Sequence, residues 1–182
     1  MSPKFRASHA FFIVIAALLV PSLGSAQTAG PPPSCTTMPE MRQFDFWIGE
    51  WDVNPWQQPT APPASMGKNS VHSIIDGCAV LEEWTGSKGG IGKSLNFYDL
   101  NRKAWRQVWV GTGGGSLDYS GDFHDNAMHF EGWSAGKDGK HTLQKLTFTK
   151  ISADTVRQTF EASTDDGKTW NVTFDGRYVR HR

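Results

Sequence analysis

The sequence predicts an all-β protein, namely an up-and-down antiparallel β-barrel of about ten strands with one short N-terminal helix. Short runs rich in Val, Ile, Thr, Trp, Tyr and Phe recur about every ten residues, and segments of helical period are almost absent. Turn-forming pairs such as Asp76-Gly77 and Asp125-Asn126 separate these runs, so consecutive strands are expected to be antiparallel neighbours. Closing the strands into a barrel removes two open sheet edges, which favours a barrel over a sandwich.

The elements follow from the apolar runs and from the turns between them. A short helix is expected near Met38 to Phe44, where Pro39 suits a first helical turn and the segment can plug one barrel mouth. The strands are expected near residues 46–53, 68–75, 78–85, 92–99, 104–111, 116–123, 127–134, 141–150, 155–163 and 169–179.

The first 26 residues differ from the rest of the chain. Lys4 and Arg6 precede an apolar run from Ala10 to Val20, and small residues follow at 24–26. This pattern is typical of a secretory signal peptide, and the apolar run is far shorter than the roughly 20 residues that cross a bilayer. Residues 1–26 are therefore predicted to be a signal peptide. We expect an exported protein, periplasmic or extracellular, without a stable membrane anchor after cleavage.

Two proline-rich stretches flank the start of the fold. Residues 27–38 carry too little apolar surface to order by themselves and are expected to form a flexible arm. The stretch from Gln57 to Ser65 is expected to be a surface loop. The remaining residues, 39–182, are predicted to form a single barrel domain, because their number suits one domain.

The chain has two cysteines, Cys35 and Cys78, so only one intramolecular pairing exists. An oxidising compartment would allow this disulfide, and two free thiols are the alternative. A bridge would tie the N-terminal arm to the barrel. In the chain-entropy model it would stabilise the fold by about 4 kcal/mol.

The charge balance limits the partners. Eighteen Lys and Arg residues match eighteen Asp and Glu residues, and loss of Lys4 and Arg6 with the signal peptide leaves a net charge of −2. Such a chain has no electrostatic attraction for nucleic acid. The expected partner is a small-molecule ligand of unknown identity, bound by a monomer or a small homo-oligomer.

The first strand carries a family signature within FDFWIGEWDV at residues 44–53. Alternation puts Trp47, Gly49, Trp51 and Val53 on one face, and Gly49-Glu50-Trp51 matches the glycine, any residue, tryptophan signature on the first strand of lipocalins and related calycins. With this stretch, EEWTGS, SLNFYD, WRQVWV, VRQTFEASTDDGKTW and FDGRYVR make residues 40–180 resemble a family of lipocalin-like secreted bacterial proteins, a domain of unknown function.

This resemblance implies a calycin-type barrel that encloses a cavity, and it implies no established reaction. It also implies that the signature tryptophan, Trp51, packs at the closed barrel end against an arginine of the last strand. Arg177 and Arg180 are the two candidates for that arginine. A guanidinium stacked on an indole is physically favourable.

A second motif lies in the last hairpin. Ser163, Asp165, Gly167, Thr169 and Trp170 fit the Asp-box pattern of sialidase propeller blades. A propeller needs several blades of roughly 40 residues, which this chain cannot hold. We interpret the motif as a structural hairpin cap with Trp170 packed beneath it.

The histidines give a weaker signal. A two-residue turn at Asp125-Asn126 would bring Asp122, His124 and His129 to one face, where three such side chains can hold zinc. Polar residues are common at hairpin tips, so a solvated face is the preferred interpretation. We expect no metal and no cofactor.

Strands three to five suggest the binding site, because their faces do not separate into apolar and polar sets. The side chains expected to line a cavity combine flat aromatics with amides, which suits a partly aromatic, lipidic or sugar-like ligand. They are Trp84, Asn96, Tyr98, Gln107, Trp109 and Gln158, with Glu83 or Glu161 near them. Alternatively, the tryptophans fill a small barrel completely and the polar residues face water.

Three functions remain open. The leading hypothesis is an exported barrel that binds an apolar or aromatic small molecule. The second is an enzyme in which Glu82, Glu83 or Glu161 acts as acid or base in the cavity, with no catalytic residue assigned. The third is a haem-binding barrel, as in some ten-stranded relatives that use a histidine near the C-terminus, although the context of His181 does not match theirs.

Overall fold

The computed structural model describes residues 34–57, 65–135 and 139–182. Within them, ten strands pair antiparallel with their sequence neighbours, and β1 pairs with β10 to close the barrel. The strands are β1 Gly49–Pro55, β2 Gly67–Ile74, β3 Ala79–Gly86, β4 Ile91–Asp99, β5 Ala104–Gly111, β6 Ser116–His124, β7 Ala127–Ala135, β8 His141–Ser152, β9 Thr155–Ser163 and β10 Asn171–Arg180. The expected signal peptide, residues 27–33 of the arm and residues 58–64 of the proline-rich loop lie outside the described residues.

The predicted all-β barrel is thus confirmed, but the start of its first strand was predicted wrongly. Two 3₁₀ turns, Pro39–Arg42 and Asp45–Trp47, precede β1, and together we call them the helical segment. The Ile48 backbone N–H donates to the Asp45 carbonyl at 3.1 Å, so the chain becomes extended only from Gly49. A further 3₁₀ turn, Ile75–Gly77, joins β2 to β3. Each helical turn in the described part of the chain is too short to cross a bilayer.

The helical segment defines one end of the barrel, which we call the closed end. The Phe44 ring is fully buried there and lies 4.8 Å from the Trp47 ring, 5.7 Å from Trp105 and 5.1 Å from Phe148. The Trp105 indole N–H donates to the Gln43 side-chain oxygen at 3.0 Å. Each buried ring contributes about 1.5–3 kcal/mol of apolar burial, so the segment is held mainly by hydrophobic packing.

The signature tryptophan also lies toward the closed end. The Arg180 guanidinium lies 4.4 Å from the centre of the Trp51 ring, and its Nη1 donates to the Ile48 carbonyl at 3.2 Å. A Cβ at Gly49 would lie 2.1 Å from that Nη1, which explains why a glycine stands two residues before Trp51. Of the two candidate arginines, Arg180 makes this contact, whereas Arg177 lies 4.6 Å over Trp56.

A disulfide fastens the beginning of the described chain to the closed end. Cys35 and Cys78 are bonded, with their Cα atoms 4.9 Å apart and a sequence separation of 43 residues. This is the single pairing that the sequence allows. Cys78 directly follows the turn between β2 and β3, so residues 34–38 are tied to the barrel beside that turn.

The opposite end, which we call the open end, carries the Asp-box hairpin between β9 and β10. The Asp165 carboxylate accepts hydrogen bonds from the Thr169 hydroxyl at 2.6 Å and from the Thr169 backbone N–H at 2.9 Å. These bonds, with one from Ser163, lower the pKa of Asp165 to about 2. The Trp170 indole N–H donates to the Gly167 carbonyl at 3.0 Å, and Lys145 lies over its ring. The contacts of this motif are those of a hairpin cap.

Candidate ligand-binding cavity

A cavity of about 290 Å³ lies in the open half of the barrel. This volume is near the lower limit of typical small-molecule sites, which span roughly 300–1,000 Å³. Inward-facing side chains of six strands form the wall, mostly aromatic or aliphatic toward the mouth and polar toward the middle of the barrel. They are Glu82, Trp84, Gln107, Trp109, Leu117, Leu146, Gln158, Phe160, Phe174 and Tyr178.

Glycines on neighbouring strands leave room for the indoles of the two wall tryptophans. A Cβ at Gly92 would be 2.0 Å from Cζ2 of Trp109, and a Cβ at Gly67 would be 2.7 Å from Cη2 of Trp84. Each indole therefore covers a position of a neighbouring strand that has no side chain. Because the rings lie against the barrel wall rather than across its axis, the middle of the open half stays unfilled.

A chain of buried polar groups, which we call the polar floor, closes the cavity toward the middle of the barrel. The Glu82 carboxylate accepts hydrogen bonds from the Asn69 amide at 3.0 Å and from the Ser94 hydroxyl at 2.6 Å. Asn96 donates to the Ser94 oxygen at 2.9 Å, and Gln107 donates to the Asn96 oxygen at 2.7 Å. The floor thus joins β2, β3, β4 and β5, and all five side chains are buried.

The electrostatics of the floor centre on Glu82. Burial raises the pKa of this carboxyl to about 7, and the hydrogen bonds from Ser94 and Asn69 oppose that rise without cancelling it. Burial, and secondly the Glu82 charge, raise the pKa of the Tyr178 hydroxyl. Tyr178 therefore stays protonated and donates to the Gln158 side-chain oxygen. Among the described lining residues there is one acidic group and no lysine, arginine or histidine.

The structure brings together part of the set expected from the sequence. Asn96 is fully buried and lies behind Gln107 rather than at the cavity surface. Tyr98 lies nearer the closed end, where its ring is 6.2 Å from Trp105. The expected side chains that line the cavity are Trp84, Gln107, Trp109 and Gln158.

Two glutamates that were expected near the cavity lie on the outer face of the barrel. Glu83 accepts hydrogen bonds from Lys93 and shares a contact of 2.9 Å with His72. Glu161 directly follows Phe160, which lines the cavity, so strand alternation turns its side chain outward. The same alternation puts Glu82, the neighbour of Glu83, inside.

The sequence-based set of lining residues therefore omitted the carboxylate of the floor. The signal was available, since Glu82 shares its strand face with Trp84. Strand alternation also predicts that Phe160 lines the cavity once Gln158 is taken as inward-facing, because the two residues are two apart on the same strand. The hydrogen-bonded register between strands, however, is not visible in any single run.

The histidines of the alternative hypotheses lie outside the cavity. His124 contacts Asp122 at 2.8 Å, and its ring stacks on His129 at 4.1 Å on the outer face of the β6–β7 hairpin. In the described parts of the chain, no group of three or more His, Cys, Asp or Glu side chains is arranged to hold a metal ion. His181 contacts the Asp52 carboxylate at 2.7 Å at the end of β10.

Comparison of the chain with protein-family models gives no match, and a search of curated proteins also gives none. Membership of a lipocalin-like family stays a prediction from the sequence motifs. The function is therefore inferred from the cavity itself.

Proposed function

We propose that the protein binds a small ligand with a flat apolar body in the open-end cavity, and that it does so outside the cytoplasm, as the signal-like N-terminus predicts. One observation carries the proposal: a cavity of about 290 Å³ has aromatic walls and a buried polar floor. Such a combination of apolar wall and few polar groups is typical of small-molecule sites. Its volume suits a compact ligand of one or two fused rings.

The packing contrast within the barrel supports binding over a completely filled interior. At the closed end, the Phe44 and Trp47 side chains are fully buried. At the open end, the Trp84 and Phe174 side chains are only half-buried, and the wall rings leave the middle unfilled. An apolar ligand would bury these half-exposed faces, and each square ångström removed from water contributes about 25 cal/mol.

An enzyme is the second candidate, and one observation favours it. Glu82 faces the cavity with a pKa of about 7, the range that suits a general acid or base at neutral pH. A paired-carboxylate mechanism is not supported, because the described lining residues include a single carboxylate. Mass spectrometry of the bound molecule separates the two candidates, since a ligand is recovered unchanged and a substrate is not.

The test begins with native mass spectrometry of gently purified protein, followed by titration with fused-ring fluorescent probes such as aminonaphthalene derivatives. Trp109→Ala removes a cavity wall and is expected to weaken probe binding by about tenfold or more. Trp133→Ala is the matched control, because Trp133 is 50% exposed on the outer face. Equal affinities in the two variants, or no binding to the parent protein, would refute the proposed function.

A further inference from the structure

Above about pH 7, where Glu82 is ionised, the polar floor carries a negative charge that no described lining residue compensates. Glu82 is 4% exposed and lines the cavity, and no basic side chain among the described lining residues faces it. The oxygen of the Asn69 amide, whose nitrogen donates to Glu82, is buried without a partner among the described residues. Buried charges in proteins are normally paired, and buried acceptors are normally satisfied. The floor therefore lacks a positively charged donor.

We propose that the ligand carries a protonated amine, which donates hydrogen bonds to the Glu82 carboxylate while its apolar body lies between the tryptophans. This inference rests on the proposed function and adds the chemical class of the ligand. It assigns Glu82 as the residue that selects the ligand, with Asn69 and Ser94 holding the carboxylate in place. The protein-bound hydrogen bonds leave further lone pairs on each carboxylate oxygen, so an ammonium group can still donate to them.

The walls favour the same ligand class. Trp84 and Trp109 line the same cavity as Glu82, and an ammonium group is attracted by the negative face of an indole. Aromatic walls around a single carboxylate form an environment that stabilises a cation twice over, by ion pairing and by cation–π attraction. A carboxylate or phosphate ligand would instead meet repulsion from Glu82.

Neighbouring groups do not neutralise Glu82 by themselves. On β2 and β4 it contacts the neutral side chains of Asn69 and Ser94, and from β10 it is faced by the Tyr178 hydroxyl, which stays protonated. The basic groups nearby on the two neighbouring strands, Lys93 on β4 and His72 on β2, contact Glu83 on the outer face. A cation at the floor must therefore come from a bound molecule.

The test uses two probes of equal shape, 2-(2-naphthyl)ethylamine and 2-(2-naphthyl)ethanol, titrated at about pH 8 against the parent protein, Glu82→Gln and Glu83→Gln. Glu83 is the matched control because it is the next residue and points outward. We expect the parent protein to bind the amine at least about tenfold more tightly than the alcohol. This preference should persist in Glu83→Gln and disappear in Glu82→Gln, while the alcohol keeps its affinity for both variants.

The outcomes separate the two proposals. Equal binding of amine and alcohol to the parent protein, or an amine preference that survives in Glu82→Gln, overturns the ligand class and leaves the binding cavity standing. Failure of both probes to bind overturns the ligand class together with the proposed function.

A pH profile of the parent protein gives a second measurement that needs no variant. Amine affinity should fall as the pH is lowered through about 7, where Glu82 takes up its proton, whereas alcohol affinity should stay constant. The probe amine remains charged throughout this range, because aliphatic amines have a pKa of about 10. A flat amine profile overturns the inference even if Glu82→Gln does not fold.

Discussion

Phenylalanine and tryptophan side chains occur at both ends of the barrel, but they fill the closed end and leave a cavity at the open end. At the closed end, Phe44 and Trp47 enter from the helical segment and are fully buried among other rings. At the open end, Trp84 and Trp109 lie over glycines of neighbouring strands and border a cavity of about 290 Å³. Aromatic content therefore does not decide whether a barrel end is filled. The helical segment fills the closed end, whereas glycine positions without a Cβ let the open-end indoles lie against the barrel wall.

The two ends also differ in the kind of polar group that they bury. At the closed end, the Trp51 N–H donates to the Trp47 carbonyl at 2.8 Å and the Trp105 N–H donates to Gln43, whereas the Trp47 N–H is buried without a partner among the described residues. The floor of the open half keeps an ionisable carboxyl, Glu82, whose pKa is raised to about 7 by burial. The indole hydrogen bonds of the closed end stabilise the fold. The buried Glu82 charge costs stability, and we expect it to be retained for binding. This contrast makes four predictions, given from the largest expected effect to the smallest.

The first prediction compares one residue type at the two ends. Phe44→Ala should lower the free energy of unfolding by about 3–5 kcal/mol, because it deletes a fully buried ring that contacts Trp47, Trp105 and Phe148. Phe174→Ala should cost roughly 1–2 kcal/mol, because that ring already borders a cavity and is partly exposed. Denaturant unfolding followed by tryptophan fluorescence measures both values. Equal losses would mean that the two ends are packed alike.

The second prediction concerns the disulfide that fastens the closed end. The double variant Cys35→Ser and Cys78→Ser should lose about 4 kcal/mol in the chain-entropy model, given the 43-residue separation of the two cysteines. Probe affinity in the open-end cavity should stay unchanged, because neither cysteine lines it. Unfolding curves and probe titrations on the same samples check both statements. A loss of probe affinity in folded protein would show that the two ends are coupled.

The third prediction removes the buried charge from the open half. The pKa of Glu82 is raised from 4.5 to about 7 on folding, so the unfolded chain releases this proton at lower pH than the folded protein does. The Glu82 contribution to stability is therefore fully favourable below about pH 4.5 and is lost as the pH rises to about 7. Glu82→Gln should accordingly be more stable than the parent protein at about pH 8, by up to about 3 kcal/mol, and this gain should vanish near pH 4.5.

Glu83→Gln is the control for that measurement. Hydrogen bonds from Lys93 and His72 lower the pKa of Glu83, so its contribution to stability has the opposite sign and is present above the unfolded pKa. Thermal or urea unfolding at several pH values measures the difference between each variant and the parent protein. A Glu82→Gln variant that is less stable than the parent protein at about pH 8 would mean that its hydrogen bonds outweigh the cost of burying the charge.

The contrast also bears on how much of this protein can be predicted from its sequence. Strand periodicity and turn residues predict nine of the ten strands to within two residues at each end, because every hairpin is local and the alternation is short-range. The start of β1 was missed, since Phe46 and Trp47 have high strand propensity but tertiary packing folds them into a 3₁₀ turn. There, the burial of the Phe44 and Trp47 rings outweighs the local strand propensity.

The cavity could be predicted only in part for a related reason. Alternation predicts which residues point inward, so Trp84, Gln107 and Trp109 could be chosen from their own strands. Whether Tyr98 reaches the cavity depends on its height along the barrel, which is set by the stagger between strands. The role of the glycines likewise depends on diagonal contacts across strands, such as that of Gly92 with the Trp109 ring.

The fourth prediction has the smallest expected effect on stability and concerns the glycines that the wall tryptophans cover. In Gly92→Ala the new methyl group would occupy the place of the Trp109 ring, with 2.0 Å between Cβ and Cζ2, so the indole must swing into the cavity. Because that space is empty, the free energy of unfolding should change by only about 1 kcal/mol, whereas probe affinity should fall several-fold, roughly as for partial filling of the site. Gly90→Ala is the matched control, since a Cβ there meets no atom within 4 Å. Unchanged affinity in a folded Gly92→Ala protein would mean that the indole has room to retreat elsewhere, and that bare glycine positions are not what keeps the open end unfilled.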